Sequence, residues 1–349
     1  MDKGLDDAAY STATRRALER FGIDAQDISL VCHSENVSFR VSTHGDETDY
    51  VLRLHRPGYN SLEELESERA WAAALRDAGV PVPESRPTPE GQHFCLVDIP
   101  GVDEQRYAGL TTWLKGAPLS RVLRENEVDR AHIFHSIGEL AASVHNQAAR
   151  WEEPPGFTRP RLDLDGLLGE APRWGRFWKH MDLSATESEL LLRARETARA
   201  TLQDYGESGD NFSLVHADLD SGNIIYDGRD LALIDFDDAA YGWHMYDLAS
   251  ALINVWYAPD FDTLSTNLLD GYRKHRPLGN RDIEMLPVFL LVRGMVTIGW
   301  FRQRPEHDGS AQFEQLKNRT LAACEVWLRG AVKRAGKGAQ ATTNGIFPV

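Results

Sequence analysis

The sequence predicts an α+β protein of two lobes, in which a small lobe of sheet and helix precedes a larger, mainly helical lobe. The chain has 349 residues, which is more than one small domain needs and enough for two lobes with a substantial core. Short apolar runs and helical patterns alternate over residues 1–115, and helical periodicity dominates residues 116–333. Residues 334–349, rich in Gly, Ala, Thr and Asn, are predicted to form a disordered tail.

The small lobe is predicted from short strand patterns flanked by two helices. Its elements are a helix at 11–20, strands at 28–32, 37–41 and 50–54, and a helix at 61–76. Ser11 or Thr12 is the expected N-cap of the first helix. The turn at 33–36 contains no glycine, and two interpretations of it stay open, a polar hairpin turn and a phosphate contact.

The larger lobe is predicted from apolar residues that recur at helical spacing. Its helices are expected at 133–145, 186–205, 245–257, 262–274, 281–302 and 311–329. The apolar stretch 285–301 contains Pro287, Arg293 and Gly294, which favours a buried helix over a membrane span. The Pro- and Gly-rich stretch 154–172 is predicted to be a long loop between helices.

The stretch from His216 to Asp238 carries the most chemical information. His216 precedes Asp218 by two residues, Asn223 lies five residues further, and Asp235 follows four consecutive apolar residues. A predicted hairpin over 223–234 with an Asp-Gly turn brings Asn223 and Asp235 side by side. Kinase-type sites assemble a base and two magnesium ligands with this spacing. The alternative is an acidic surface hairpin, which is disfavoured because a purely structural carboxylate behind an apolar strand is costly.

A strand in the small lobe carries a single cation. Arg53 lies in the middle of the predicted strand at 50–54, and the helix after it carries Glu64, Glu66 and Glu68. In kinase-type sites a strand cation contacts the nucleotide phosphates and pairs with a Glu of the next helix. Arg53 is therefore predicted to bind phosphates with Glu68 as its partner, and Glu64 is the alternative. The competing interpretation is that Arg53 extends from an edge strand into solvent.

These motifs resemble the catalytic core of the aminoglycoside phosphotransferase and choline kinase superfamily, whose pattern is His-Gly-Asp-x-x-x-x-Asn followed by Ile-Asp-Phe or Ile-Asp-Trp. The resemblance implies a bilobal, protein-kinase-like fold that binds ATP and Mg²⁺ between its lobes. It implies Asp218 as the catalytic base, and Asn223 and Asp235 as magnesium ligands. It also implies that Asp247, in Tyr-Asp-Leu-Ala, braces the catalytic loop (residues 216–220). Ala217 stands where the family usually has Gly.

The resemblance extends to the segment that links the lobes. Residues 109–119 resemble the family's hinge, so the backbone near Thr112, Trp113 and Leu114 is expected to hydrogen-bond adenine, although Trp113 could simply be core. His216 is expected to hold the loop rather than take protons. His145 ends a Leu-His helix pattern, and a hydrogen bond to nearby backbone is a better interpretation than a catalytic base.

The acceptor is predicted to be a small, hydroxyl-bearing metabolite, because only eleven residues separate Asp235 from Asp247 and leave no room for a peptide-docking segment. The motifs look similar to the homoserine and hydroxylysine kinase branch. Candidate contacts are Asp220, Asp237, Asp238, Tyr241, Trp243, Trp256, Tyr257, Arg293 and Trp300, with 154–172 bordering them. Aromatic and carboxylate groups suit an ammonium-bearing alcohol, whereas Arg293 suits a carboxylate. The alternatives are an antibiotic phosphotransferase, a bacterial Ser/Thr kinase and a nucleotide-binding pseudokinase.

Composition narrows the partners and the compartment. The net charge of −15 argues against general nucleic-acid binding and against an anionic membrane surface. Cys32, Cys95 and Cys324 are far apart and odd in number, so they are expected to form neither a metal-binding pattern nor disulfides, which is typical of a reducing cytosol. The N-terminus lacks the apolar core of a signal peptide. A cytoplasmic enzyme is therefore expected.

Overall fold

The structure is a computed structural model that describes residues 3–44, 48–125, 127–304 and 310–336. The helices are α1 (Lys3–Phe21), α2 (Leu62–Asp77), α3 (Leu119–Glu125), α4 (Arg130–Ala148), α5 (Leu164–Leu168), α6 (Ala185–Tyr205), α7 (His244–Leu252), α8 (Phe261–Arg273), α9 (Asn280–Arg302) and α10 (Ala311–Gly336). The strands are β1 (Ala25–His33), β2 (Val37–Thr43), β3 (Tyr50–Leu54), β4 (Phe94–Asp98), β5 (Gln105–Thr112), β6 (Ala117–Pro118), β7 (Arg161–Leu162), β8 (Phe212–Val215), β9 (Ile224–Tyr226), β10 (Leu231–Leu233) and β11 (Ala240–Trp243).

The chain forms two compact units. The first contains the residues up to Val122 together with Trp151–Arg159 and Gly222–Asp237, and the second contains the rest. Two segments that the sequence assigned to the larger lobe thus belong to the first unit. The physical reason is local pairing: β9 pairs with β6, and the Thr158 N–H donates to Ser67 Oγ on α2 at 2.9 Å.

The first unit is built around an antiparallel sheet with the strand order β1-β2-β3-β5-β4. Side chains alternate between the two faces of a strand, and Leu52 and Leu54 on β3 are fully buried in a core shared with α1. Arg53 consequently lies on the opposite face of a central strand. The three strands predicted at 28–32, 37–41 and 50–54 are confirmed, and the interpretation of Arg53 as an edge-strand cation is wrong.

Helix α1 is longer than predicted. It begins at Lys3 and not at residue 11, because no Gly or Pro interrupts the residues between Leu5 and Thr12. The Thr12 hydroxyl donates to the carbonyl oxygen of Ala8 one turn earlier, at 2.9 Å. An N-cap at Ser11 or Thr12 is therefore wrong.

The second unit is mainly helical, with a small sheet ordered β7-β11-β8. Helices α4 and α8 approach so closely that a Cβ at Gly138 would lie 2.0 Å from the Leu268 carbonyl oxygen, and one at Gly271 1.9 Å from that of His135. Helix α9 is long and apolar enough by composition to cross a membrane, but 72% of its apolar window is buried inside the protein. It serves as the central core helix, as the sequence predicted.

Three other boundaries differ from the prediction. Residues 154–172 are not a structureless loop, because they contain β7 and α5. Helix α7 ends at Leu252 and continues as a 3-10 turn, Ile253–Val255. Helix α10 extends to Gly336, past the predicted start of the tail at 334, and residues 337–349 lie outside the described residues.

Candidate active site

The predicted magnesium ligands lie at one end of the β9–β10 hairpin. Leu233 pairs with Ile224, and the Ile234 N–H donates to the Asn223 carbonyl oxygen at 3.0 Å. Asn223 therefore enters the first strand where Asp235 leaves the second, which confirms the predicted juxtaposition. Asp235 has a φ of 65°, a left-handed conformation uncommon for residues other than glycine. The backbone thus turns sharply at the carboxylate that is expected to hold metal.

The donor set at this end of the hairpin fits Mg²⁺ only together with a nucleotide. A carboxylate and an amide offer the oxygen ligands that Mg²⁺ prefers, and Mg²⁺ commonly takes one or two carboxylates plus substrate phosphates. Within the described residues, no group of three or more His, Cys, Asp and Glu side chains is placed to hold a metal ion. Asp235 and Asn223 would therefore supply part of a coordination shell that phosphate oxygens complete.

Arg53 forms ion pairs with two carboxylates of the segment that follows the hairpin. Its Nη1 lies 2.8 Å from Asp235 Oδ1 and 3.4 Å from Asp237 Oδ1, and its side chain is 21% exposed. Burial alone would lower the pKa of Arg53, but the two carboxylates outweigh it and raise that pKa above its ordinary value. A permanently charged guanidinium thus lies beside the predicted metal ligand, where phosphates are expected.

Glu68 lies in the same cluster but does not pair with Arg53. In the part of the chain that the structure describes, no ion pair within 4 Å joins the two side chains, and Glu68 Oε2 is buried without a hydrogen-bond partner. Burial, followed by the nearby charge of Asp237, raises the pKa of Glu68. The alternative partner, Glu64, is occupied at the start of α2, where it accepts from the Ser61 N–H at 2.8 Å in a capping box.

The turn between β1 and β2 is a polar hairpin turn. The Ser34 N–H donates to the Asn36 carbonyl oxygen at 3.1 Å, and Glu35 forms an ion pair with Arg56. The turn is therefore closed by a backbone hydrogen bond and tied to Arg56 after β3, while its contact with phosphate stays a prediction.

Two of the three predicted hinge N–H groups are already hydrogen-bonded within the protein. The Thr112 N–H donates to the Glu84 carbonyl oxygen at 2.9 Å, and the Trp113 N–H donates to that of Asp49 at 2.8 Å. The Trp113 ring packs against the Arg40 guanidinium at 4.7 Å. Of the three predicted positions, Leu114 is therefore the one whose N–H is not committed to another described residue.

The catalytic loop in the second unit is held by Asp247. This fully buried carboxylate accepts from the backbone N–H groups of His216 at 2.9 Å and Ala217 at 2.7 Å, and it lies 3.1 Å from His145 Nε2. The predicted bracing role of Asp247 is confirmed by these contacts. Ala217 has a φ of 67°, which explains why the family usually has glycine at this position.

His145 has a structural role, although its partners are not those expected. Nδ1 lies 2.9 Å from the Tyr272 hydroxyl and Nε2 lies near Asp247, so it bonds side chains rather than backbone. Its ring stacks on His244 at 4.4 Å. Burial lowers the pKa of both histidines, which favours neutral rings beneath the catalytic loop.

The predicted base, Asp218, is paired with Arg293 of α9. Arg293 Nη2 binds Asp218 Oδ1, while Nη1 donates to the Ala217 carbonyl oxygen and to the Tyr246 hydroxyl, both at 3.3 Å. Sequence reasoning placed Arg293 on a substrate carboxylate and missed this contact. A lone Arg in an apolar helix was the available signal, because a buried charge needs a partner.

A cavity of about 350 Å³ opens beside Asp218 in the second unit. Five predicted acceptor contacts line it: Asp220, Asp238, Trp256, Arg293 and Trp300. Residues that the sequence did not single out also line it: Trp174, Asn254, Thr297, Gln312, Gln315 and Arg319. Several of these lie on α10. That helix is far in sequence from the motif at 216–238, so no local pattern linked its residues to the site.

The other predicted acceptor contacts lie elsewhere. Trp243 is core, because it is 1% exposed and its Nε1 donates to the Gly206 carbonyl oxygen at 2.9 Å. Tyr241 pairs within the small sheet, and the Tyr257 hydroxyl donates to the Arg319 carbonyl oxygen at 2.7 Å. Asp237 belongs to the first unit. None of these four is among the residues that line the cavity.

Comparison with known proteins identifies relatives over most of the chain. The model of the phosphotransferase enzyme family matches residues 32–282. The chain is 24% identical to amicoumacin kinase of Bacillus subtilis, over 82% of this chain and 83% of that one. It is 28% identical to homoserine kinase of Pseudomonas aeruginosa, over 74% of this chain and 75% of that one.

A solved structure resembles the fold closely. It is that of a microcompartment-associated aminopropanol kinase, with a TM-score of 0.80 and 30% sequence identity over 93% of this chain and 98% of that one. This likeness confirms the predicted protein-kinase-like fold.

Proposed function

The chain belongs to the phosphotransferase enzyme family, and we propose that it transfers the γ-phosphoryl group of ATP, with Mg²⁺, to the hydroxyl of a small ammonium-bearing metabolite. It is a kinase-type enzyme whose acceptor group is an alcohol. The observation that carries the proposal is the cavity beside Asp218, whose walls combine carboxylates with indole rings.

The walls of this cavity suit an amino alcohol or a hydroxy amino acid. Asp220 and Asp238 supply negative charge, and Trp256 and Trp300 supply indole rings, a group that attracts ammonium. The Trp300 ring already binds one cation, because the Arg304 guanidinium lies 3.9 Å from its centroid. A volume of about 350 Å³ is near the lower end for ligand pockets, which favours a small metabolite over a polycyclic antibiotic.

Each unit carries residues with a proposed part in the reaction. Asp218 would accept or orient the proton of the acceptor hydroxyl, and Arg293 would hold its carboxylate in place through Oδ1. Arg53 would bind phosphate oxygens, and Asn223 and Asp235 would hold Mg²⁺, which when bound neutralises charge on the phosphates. Because phosphoryl transfer depends mainly on positioning and electrostatics, these few charged groups are sufficient.

The test is ADP release from ATP and Mg²⁺ with a panel of possible acceptors. The panel contains amino alcohols, hydroxy amino acids, neutral sugars, an aminoglycoside, amicoumacin and a generic protein substrate. We expect an ammonium-bearing small alcohol to raise turnover most. Strong preference for a neutral sugar, an antibiotic or a protein would contradict the assignment of the acceptor.

Trp300→Ala is a second test of this cavity as the acceptor site. Loss of an aromatic face that contacts an ammonium group costs about 0.5–2 kcal/mol, so we expect the KM for the acceptor to rise about twofold to thirtyfold. The KM for ATP should change little. The matched control is Trp327→Ala, which alters a tryptophan of α10 outside the cavity lining; an equal rise in acceptor KM there would argue against direct contact by Trp300.

A further inference from the structure

Asp237 is the residue on which the contacts around Arg53 converge. Its Oδ1 lies 3.4 Å from Arg53 Nη1 and 3.7 Å from His55 Nδ1, both on or directly after β3. Its Oδ2 accepts a hydrogen bond from Asn36 Nδ2 in the β1–β2 turn. Both carboxylate oxygens are therefore engaged by protein groups, and a role for Asp237 as a further metal or substrate contact is disfavoured.

The backbone of Asp237 is anchored as firmly as its side chain. The carbonyl oxygen accepts from Asn60 Nδ2 at 3.2 Å and from Arg159 Nη2 at 2.6 Å. Arg159 also donates to the Glu64 carbonyl oxygen on α2 at 3.1 Å. Asp237 is thus fixed relative to the strand that carries Arg53 and to the helix that follows it.

Asn36 transmits this anchoring to the β1–β2 turn. Its Oδ1 accepts from the Arg56 N–H at 2.9 Å, while its Nδ2 donates to Asp237. Because both ends of the amide are used, the turn is tied at once to the end of β3 and to the segment after the metal ligands.

We infer that Asp237 is the positioning residue for Arg53 and the β1–β2 turn during nucleotide binding, and that it takes the place of Glu68 as the partner of Arg53. The inference rests on the proposed function. Arg53 has two carboxylate partners within 4 Å, Asp235 and Asp237. If Asp235 serves a metal ion, Asp237 is the ion-pair partner that remains to orient the guanidinium.

The test compares nucleotide binding by Asp237→Asn and Glu68→Gln. ADP and ATP affinities are measured with Mg²⁺ and without acceptor by calorimetric titration, followed by the KM values for ATP and acceptor. We expect Asp237→Asn to weaken nucleotide binding about tenfold and to raise the KM for ATP, with the KM for the acceptor nearly unchanged. Glu68→Gln should lose less. Asp230→Asn, in the exposed turn of the same hairpin, is the matched control and should bind like wild type.

Two outcomes would overturn the inference: Asp237→Asn that binds nucleotide as tightly as wild type, or Glu68→Gln that loses as much as Asp237→Asn. If Asp237→Asn fails to fold, the nucleotide affinity of Asn36→Ala is measured instead, because this substitution removes one contact of Asp237 and leaves the carboxylate in place. Unchanged affinity in Asn36→Ala would then overturn the inference. Failure of the proposed function is distinguishable, because it would appear as wild-type protein that binds no nucleotide.

Discussion

Replacing Asp247 with Asn tests how the catalytic loop is supported. The Asp247 carboxylate is fully buried and accepts two backbone N–H bonds, from His216 and Ala217. An asparagine of the same shape keeps one oxygen, but its NH₂ group then faces a backbone N–H. The substitution therefore removes the charge and leaves a donor opposite a donor, with little change in volume.

The magnitude follows from these contacts. Hydrogen bonds to a charged group contribute about 1.5–3 kcal/mol each, and a buried donor left unpaired costs about 1–3 kcal/mol. One such bond and one unpaired donor together give a loss of about 2.5–6 kcal/mol in the free energy of unfolding, a range that includes the cost of breaking a buried ion pair. A displaced loop also moves Asp218, and a misplacement of about 1 Å can cost about 10²-fold in rate.

Urea unfolding followed by tryptophan fluorescence measures the first quantity, and acceptor-dependent ADP release measures the second. Asp270→Asn on α8 is the matched control, because that carboxylate is mostly exposed and its ion-pair partner among the described residues is Arg273, at 3.6 Å. An Asp247→Asn variant with wild-type unfolding free energy and wild-type kcat would refute the reasoning.

Two further predictions concern the same unit. Arg293→Lys keeps the charge but loses the planar guanidinium that joins Asp218 to Ala217 and Tyr246. We therefore expect kcat to fall about tenfold or more with unchanged ATP affinity, and an unchanged kcat would contradict this. Burial lowers the pKa of His145 and His244, so below about pH 6.5 the unfolded chain binds protons that the folded state does not. The free energy of unfolding should then decline on acidification by up to about 1.4 kcal/mol per pH unit for each ring. Urea midpoints between pH 7 and pH 5 measure this decline. A His244→Asn variant with an equally steep decline would contradict its assignment to the buried histidines.

Local patterns predicted the elements that carry the chemistry. The apolar run around Arg53 was sufficient to predict the strand that carries this cation, and the Asp-Gly turn was sufficient to bring Asn223 beside Asp235. Both inferences use neighbours close in sequence, where strand periodicity and turn chemistry fix the geometry.

Contacts between distant residues were not predictable in the same way. The pairing of Arg293 with Asp218 joins α9 to a loop 75 residues earlier, and the sequence showed only that a buried arginine must be paired. The preference of Arg53 for Asp237 over Glu68 depends on how the hairpin packs beside β3. Sequence reasoning took the more familiar partner, since charge alone does not distinguish two carboxylates.

The assignment of Asp218 as the base is tested most directly by single-turnover phosphoryl transfer with Asp218→Asn. The variant and wild type are each mixed with limiting ATP, Mg²⁺ and the best acceptor of the panel, and ATP affinity is measured in parallel. We predict that transfer slows by about 10²–10⁴-fold while ATP affinity stays within about twofold of wild type, because Asp218 lies in the second unit and the nucleotide contacts are assigned to the first. Transfer at close to the wild-type rate would contradict the account.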